Sequence, residues 1–138
     1  MSNDEAQSYE RVVKRFLFGA EADAFAADGR LVNLLPVELP FGGVYEGPQG
    51  VRRYVREMQN ALRIESLQVD EWLTSGDRVI VIGSETSRFL HNGQTYEMDW
   101  IHVNTVHDGK IVEMREYNDT AAMLEAFRAP PAEPSSRL

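Results

Sequence analysis

The residues of this chain best suited to moving protons are a histidine between two aliphatic residues and a glutamate between Arg115 and Tyr117. They lie in Trp100-Ile101-His102-Val103 and Met114-Arg115-Glu116-Tyr117. A carboxyl group in an apolar pocket has its charged form disfavoured by desolvation, which raises its pKa toward the range useful for proton transfer. A neighbouring imidazole can hydrogen-bond a substrate oxygen or orient a proton donor. Together the two could take a proton from the carbon beside a carbonyl and return it. That step is common to isomerisation and aldol-type ring closure, and it needs no cofactor where the substrate's own carbonyl stabilises the anion.

Whether the two side chains meet depends on the turns between strands. A two-residue turn at Asn92-Gly93 pairs His91 with Gln94, and hence Ser87 with Met98, Glu85 with Trp100 and Gly83 with His102. A three-residue loop over His107-Asp108-Gly109 pairs Val106 with Lys110, and hence His102 with Met114 and Trp100 with Glu116. One face then carries Glu85, Ser87, Trp100, His102, Met114 and Glu116, and the other Ile80, Ile82, Ile101, Val103, Arg115 and Tyr117. A two-residue loop at the second turn would instead turn the last strand over.

Each residue also has a plainer reading. A strand histidine in a small domain is more often a satisfied core residue than a catalyst. Glu116 could pair with Arg115 at the surface, and Trp100 and Met114 are simply explained as core or pocket wall. Asp119 suits a helix cap, and His91 and His107 lie in turns as solvent residues. The three histidines show no metal-ligand spacing on any one element, so no metal site is expected.

These residues need a scaffold, and the first half of the chain supplies helices. Ser2 and Glu5 have capping-box spacing ahead of Tyr9, Val12, Val13, Phe16 and Leu17, which recur at helical period. Ala20 to Ala27 reads as a second short helix ended near Gly29, and Arg30 to Leu35 as a strand before the loop Pro36 to Gly43. Pro48 suits a first helical position, and Val51, Tyr54, Val55, Met58 and Leu62 mark the apolar face of the helix that follows. Four strand-like runs come next, Ile64–Thr74, Val79–Leu90, Thr95–Val106 and Lys110–Asn118, parted by hairpin signals. Asp119-Thr120 can cap a last helix carrying Leu124 and Phe127. The reading is an α+β domain over residues 1–128 with a flexible tail over 129–138.

Composition narrows the function. The 138 residues are 43% hydrophobic, enough for one packed domain, and no apolar run approaches the roughly 18 residues of a membrane span. A net charge of −8 disfavours nucleic acid, because phosphate binding needs clustered Lys and Arg. There is no cysteine, hence no disulfide or thiolate metal site, and no apolar leader follows the first residues; a cytoplasmic protein is expected. Both sheet faces are rich in apolar residues. One would line a pocket roofed by helices, and the other would pack against a second copy in a twofold dimer.

The stretch Leu39-Pro40-Phe41-Gly42-Gly43-Val44-Tyr45-Glu46-Gly47-Pro48-Gln49-Gly50-Val51 resembles the linker and helix start of SnoaL-like proteins, members of the NTF2-like superfamily. So do Trp100-Ile101-His102-Val103, Asp108-Gly109-Lys110-Ile111 and Arg115-Glu116-Tyr117-Asn118-Asp119-Thr120. The resemblance runs from the first helix to Phe127 and is more specific for fold than for chemistry. It implies an NTF2-like cone, a curved antiparallel sheet around N-terminal helices with an apolar pocket. It places His102 where SnoaL-type cyclases have an active-site histidine, near the protonated acid of ketosteroid isomerase. Glu116 falls where the cyclases have an acid/base aspartate and limonene-epoxide hydrolases a catalytic aspartate, and Glu38 falls near the isomerase's general base. Phe16 stands at the position of the isomerase's oxyanion tyrosine. Glu85 and Ser87 stand at those of the epoxide hydrolase's arginine and aspartate, so neither chemistry is carried over whole.

The expectation is a cofactor-free acid/base enzyme of isomerase, cyclase or hydrolase type. His102 and Glu116 are its catalytic pair, and Phe16, Glu38, Tyr54, Glu85, Ser87, Trp100 and Met114 surround a small hydrophobic carbonyl compound. Two rivals share the fold: a small-molecule-binding protein without turnover, and a dimerising accessory domain that binds protein partners.

Overall fold

The computed structural model describes residues 2–133. Its first element, α1 (Asn3–Gly19), begins where the Ser2 hydroxyl accepts the Glu5 amide at 3.1 Å. It ends at Ala20, in the left-handed region at φ 52°, whose amide donates back to Arg15 and Phe16 carbonyls. The expected second helix over Ala20 to Ala27 is absent. A single 3₁₀ turn, Ala22–Ala24, leads directly into strand β1 (Phe25–Asn33). Helix propensity in this alanine-rich segment is overridden by burial: Phe25 packs edge-on against Phe16 at 5.0 Å between centroids and is drawn into the sheet.

A short strand, β2 (Gly43–Glu46), falls where only a loop and a helix start were expected, and it pairs antiparallel with β1. Helix α2 (Gly47–Ala61) follows, with Pro48 in its first turn and Val51 and Tyr54 buried. Strands β3 (Leu62–Ser75), β4 (Arg78–Phe89), β5 (Thr95–His107) and β6 (Lys110–Asn118) match the four strand-like runs. Helix α3 (Thr120–Arg128) is capped by Asp119, which accepts the Ala122 amide. The sheet runs β2-β1-β6-β5-β4-β3, curved and open. All pairs are antiparallel except β1 with β6, which is parallel. No described helix is long and apolar enough to cross a membrane.

Both hairpins differ from their expected registers, yet the faces survive. The β4–β5 turn has four residues, Leu90 to Gly93, with Phe89 bonded to Gln94. The side chain of Asn92 is buried and binds the α3 carbonyls of Ala126 and Phe127, so it cannot sit at the tip of a two-residue turn. Glu85 therefore pairs with Met98 and Gly83 with Trp100, two residues from expectation and with parity kept. The β5–β6 turn is the two-residue alternative, Asp108-Gly109, both at positive φ as a type I′ turn requires. By itself it would turn β6 over. A bulge at Val112 turns it back, so Asn104 pairs with Met114 and His102 with Glu116.

Of the tail expected to be flexible, residues 129–133 run beside the β4–β5 turn. The Ala132 amide donates to Asn92, and the Gln94 side chain donates to the Pro130 carbonyl. Residues 134–138 lie outside the described residues.

Candidate active site

Alternation along β5 turns Tyr96, Met98, Trp100 and His102 to the concave face, and β4 turns Gly83, Glu85 and Ser87 to the same side. From β6, Met114 and Glu116 join them through the bulge. Helices α1 and α2 cover this face with Phe16 and Tyr54. The result is a cavity of about 110 Å³ walled by Phe16, Leu17, Tyr54, Val55, Met58, Trp100 and Met114, with Glu85, His102 and Glu116 as its polar groups. Ile64 and Leu67 of β3 also line it, and both are exposed to solvent.

Glu116 is only 6% exposed and has a partner for each carboxyl oxygen. The Tyr54 hydroxyl donates to Oε2 at 2.6 Å, and His102 Nε2 lies 3.1 Å from Oε1. The His102 ring stacks on Trp100, with centroids 4.3 Å apart and planes 27° apart, which fixes its plane toward Glu116. A carboxylate offers about four lone-pair directions, so Glu116 keeps the capacity to accept a proton. Burial first, then the charge and hydrogen bond of Glu116, hold the Tyr54 hydroxyl well above its ordinary pKa.

Glu85 lies on the wall formed by β4. Burial pushes its carboxyl pKa upward and the nearby Glu116 adds to the rise, while a hydrogen bond from Ser87 at 2.5 Å and the nearby His102 oppose it. Ser87 is fully buried and reaches the site only through Glu85. Glu38 is away from the cavity altogether. Both its oxygens are taken at the surface by the Arg128 guanidinium, which holds its carboxyl below the usual range. The loop that carries Glu38 is tied to α3, which keeps the side chain outside.

A smaller void of about 30 Å³ adjoins the cavity and shares Tyr54, Met58, Glu85 and Glu116 with it. Its other walls include Asn33, Tyr96 and Asn118, none expected as site residues. Tyr96 was within reach of the alternation along β5. Asn33 was not, because it meets Glu116 only through the parallel β1–β6 pairing. Tyr96 Oη and Trp100 Nε1 are buried donors without a hydrogen-bond partner among the described residues.

Comparison with solved structures gives the same architecture. An NTF2-like protein from Burkholderia xenovorans is 28% identical, with a TM-score of 0.78 over 87% of this chain and 95% of the other. A protein from Mesorhizobium loti, provisionally named a SnoaL-like polyketide cyclase, is 21% identical with a TM-score of 0.67, covering 85% and 99%. A protein of ketosteroid isomerase-like fold from Catenulispora acidiphila, bound to trimethylamine, is 13% identical with a TM-score of 0.73, covering 86% and 93%. Among curated proteins none matches. The family model described as "SnoaL-like domain" matches residues 8–114, a span holding every residue named above for the cavity and its adjoining void except Glu116 and Asn118. The chain belongs to the SnoaL-like family of the NTF2-like superfamily.

Proposed function

We propose that this protein is a cofactor-free acid/base enzyme of isomerase or cyclase type, acting on a small, mostly apolar carbonyl compound. One observation carries the reading: Glu116 is buried, held from both sides by Tyr54 and His102, and faces a cavity with apolar walls. A carboxylate so placed is pre-oriented, and the water excluded around it strengthens its interaction with an acidic C–H. In this reading Glu116 takes the proton from the carbon next to the carbonyl and gives it back at the same or another carbon. His102 and Tyr54 hold the carboxylate in place. Size limits the substrate: 110 Å³ is less than the roughly 150 Å³ of an apolar cavity that admits benzene, so a larger ligand extends past Ile64 and Leu67.

The test is exchange of ketone α-protons in D₂O, followed by NMR with a panel of small ketones such as acetone and cyclopentanone. Glu116→Gln is expected to slow exchange by about 10²-fold or more while ketone affinity stays within a few-fold. Exchange in the variant at the wild-type rate would overturn the reading. Ligand binding without exchange in either protein would make this a binding protein.

The convex face supports a partner proposal of its own. Ile101, Tyr117, Leu73 and Val44 are exposed there around Ile80, Ile82 and Val103, and a second copy packed sheet to sheet would cover them.

A further inference from the structure

We propose that Glu85 is a second catalytic carboxyl, the acid that serves the substrate oxygen while Glu116 serves the carbon. The inference rests on the acid/base reading above and deepens it. Both carboxyl groups line the same cavity, and both also line the smaller void beside it. Their surroundings divide the work. Glu116 receives the Tyr54 hydroxyl on one oxygen and faces the His102 imidazole with the other, so both its oxygens are partnered. Glu85 has one partner, Ser87 on Oε2, and its Oε1 makes no hydrogen bond among the described residues. Among the described residues neither Lys nor Arg lines the cavity, so none of them offers a fixed cation to an oxyanion there. The groups facing Glu85 are Glu116 from β6, His102 and Tyr96 from β5, and Tyr54 from α2. Carboxyls that share an apolar site cannot both ionise freely, and burial together with the nearby Glu116 pushes the Glu85 carboxyl pKa upward.

The step balances within the protein and substrate. The C–H bond beside the carbonyl breaks, and its proton bonds to Glu116. The electron pair forms a C=C bond as the carbonyl pair moves onto oxygen, and Glu85 O–H donates to that oxygen to give the enol. Return of the proton from Glu116 to carbon, and of the oxygen's proton to Glu85, restores both groups.

The experiment uses the full chain with glutamate carboxyls labelled by ¹³C, the Glu85 resonance being assigned by its loss in Glu85→Gln. Phenol serves as the enol mimic and toluene as its control. The proposal expects a Glu85 resonance that remains that of the acid above the ordinary carboxylate range and titrates higher still with phenol bound. It also expects Glu85→Ala to weaken phenol at least tenfold relative to toluene, and Glu85→Gln, which keeps an N–H donor, to weaken it by less. In the ketone exchange assay, Glu85→Ala is expected to fall by about 10²-fold and Glu85→Gln, which keeps an N–H donor, by less. A Glu85 resonance of the ionised form whatever the ligand would overturn the proposal. So would phenol selectivity that survives in Glu85→Ala and is lost in Trp100→Phe, which would assign the oxygen to the indole N–H. The two readings fail separately. Exchange that needs Glu116 and ignores Glu85 sinks only this inference, whereas phenol recognition by Glu85 with no ketone exchange sinks only the enzymatic one.

Discussion

Tyr54 donates the shortest of the two hydrogen bonds that hold Glu116, and it does so from a fully buried position on α2. Removing a donor from a buried carboxylate leaves an acceptor without its partner, so Tyr54→Phe should destabilise the fold by about 1.5–3 kcal/mol, read by urea denaturation at neutral pH. Ionisation should act in the same direction. Tyr45 is pushed up to about 12, by burial first and then by the hydrogen bond it gives Glu57, and Tyr54 and Tyr96 are also raised. In the unfolded chain these tyrosines lose their protons from about pH 10. The unfolded state therefore binds fewer protons than the native state above that pH, and stability falls as pH rises. The full contribution is present below pH 10. A denaturation series from pH 9 to 12 should show this loss, and it should be shallower in Tyr45→Phe. The same sign holds for Glu85, whose pKa is raised from 4.5, so Glu85→Gln should gain stability relative to wild type as pH rises from the acid range to neutrality.

At the scale of elements, the site depends on two close fits within the β4–β5 hairpin. Gly83 faces Trp100 across the strands, and a Cβ there would lie 2.4 Å from the Gln68 carbonyl oxygen and 2.5 Å from the Trp100 ring. Gly83→Ala must therefore shift the indole that supports His102. We expect a loss of about 1–3 kcal/mol in thermal denaturation together with a changed tryptophan emission. The second fit is Asn92, whose amide donates to three carbonyls of α3 and its end and whose oxygen accepts the Gln94 amide. Asn92→Ala leaves several buried groups without partners and should cost about 1–3 kcal/mol, with amide exchange rising first in α3 and the β4–β5 turn.

For the whole molecule, the concave face is filled by helices and cavity, and the convex face carries a group of apolar side chains open to solvent. Ile101 and Tyr117 lie side by side on it, 40% and 43% exposed, in register across β5 and β6. If a second copy covers this face, Ile101→Arg should move the mass in light scattering from dimer to monomer while the circular dichroism spectrum stays native. A monomeric wild type across the micromolar range would remove the partner proposal.

The amino-acid sequence by itself determined the helix starts at Ser2 and Pro48, the four long strands and the α3 cap, because each rests on local periodicity or capping chemistry. It also determined that Glu85, Trp100 and His102 share a face, since the β4–β5 register differs from expectation by two residues; Met114 and Glu116 join that face only through the Val112 bulge. Only the tertiary structure decided the rest. The segment Ala20 to Ala27 becomes turn and strand because Phe25 is buried against Phe16, and that burial outweighs local propensity. The Val112 bulge sets His102 opposite Glu116, because it compensates a turn one residue shorter than expected. Asn33 reaches Glu116 through a parallel pairing between strands far apart in the chain, which no local pattern encodes. Glu38 is removed from the site by Arg128, a partner 90 residues away. The candidate residues His102 and Glu116 were thus legible as members of two strands, and the contacts that bring them together exist only once β1, β6 and the helices have closed around them.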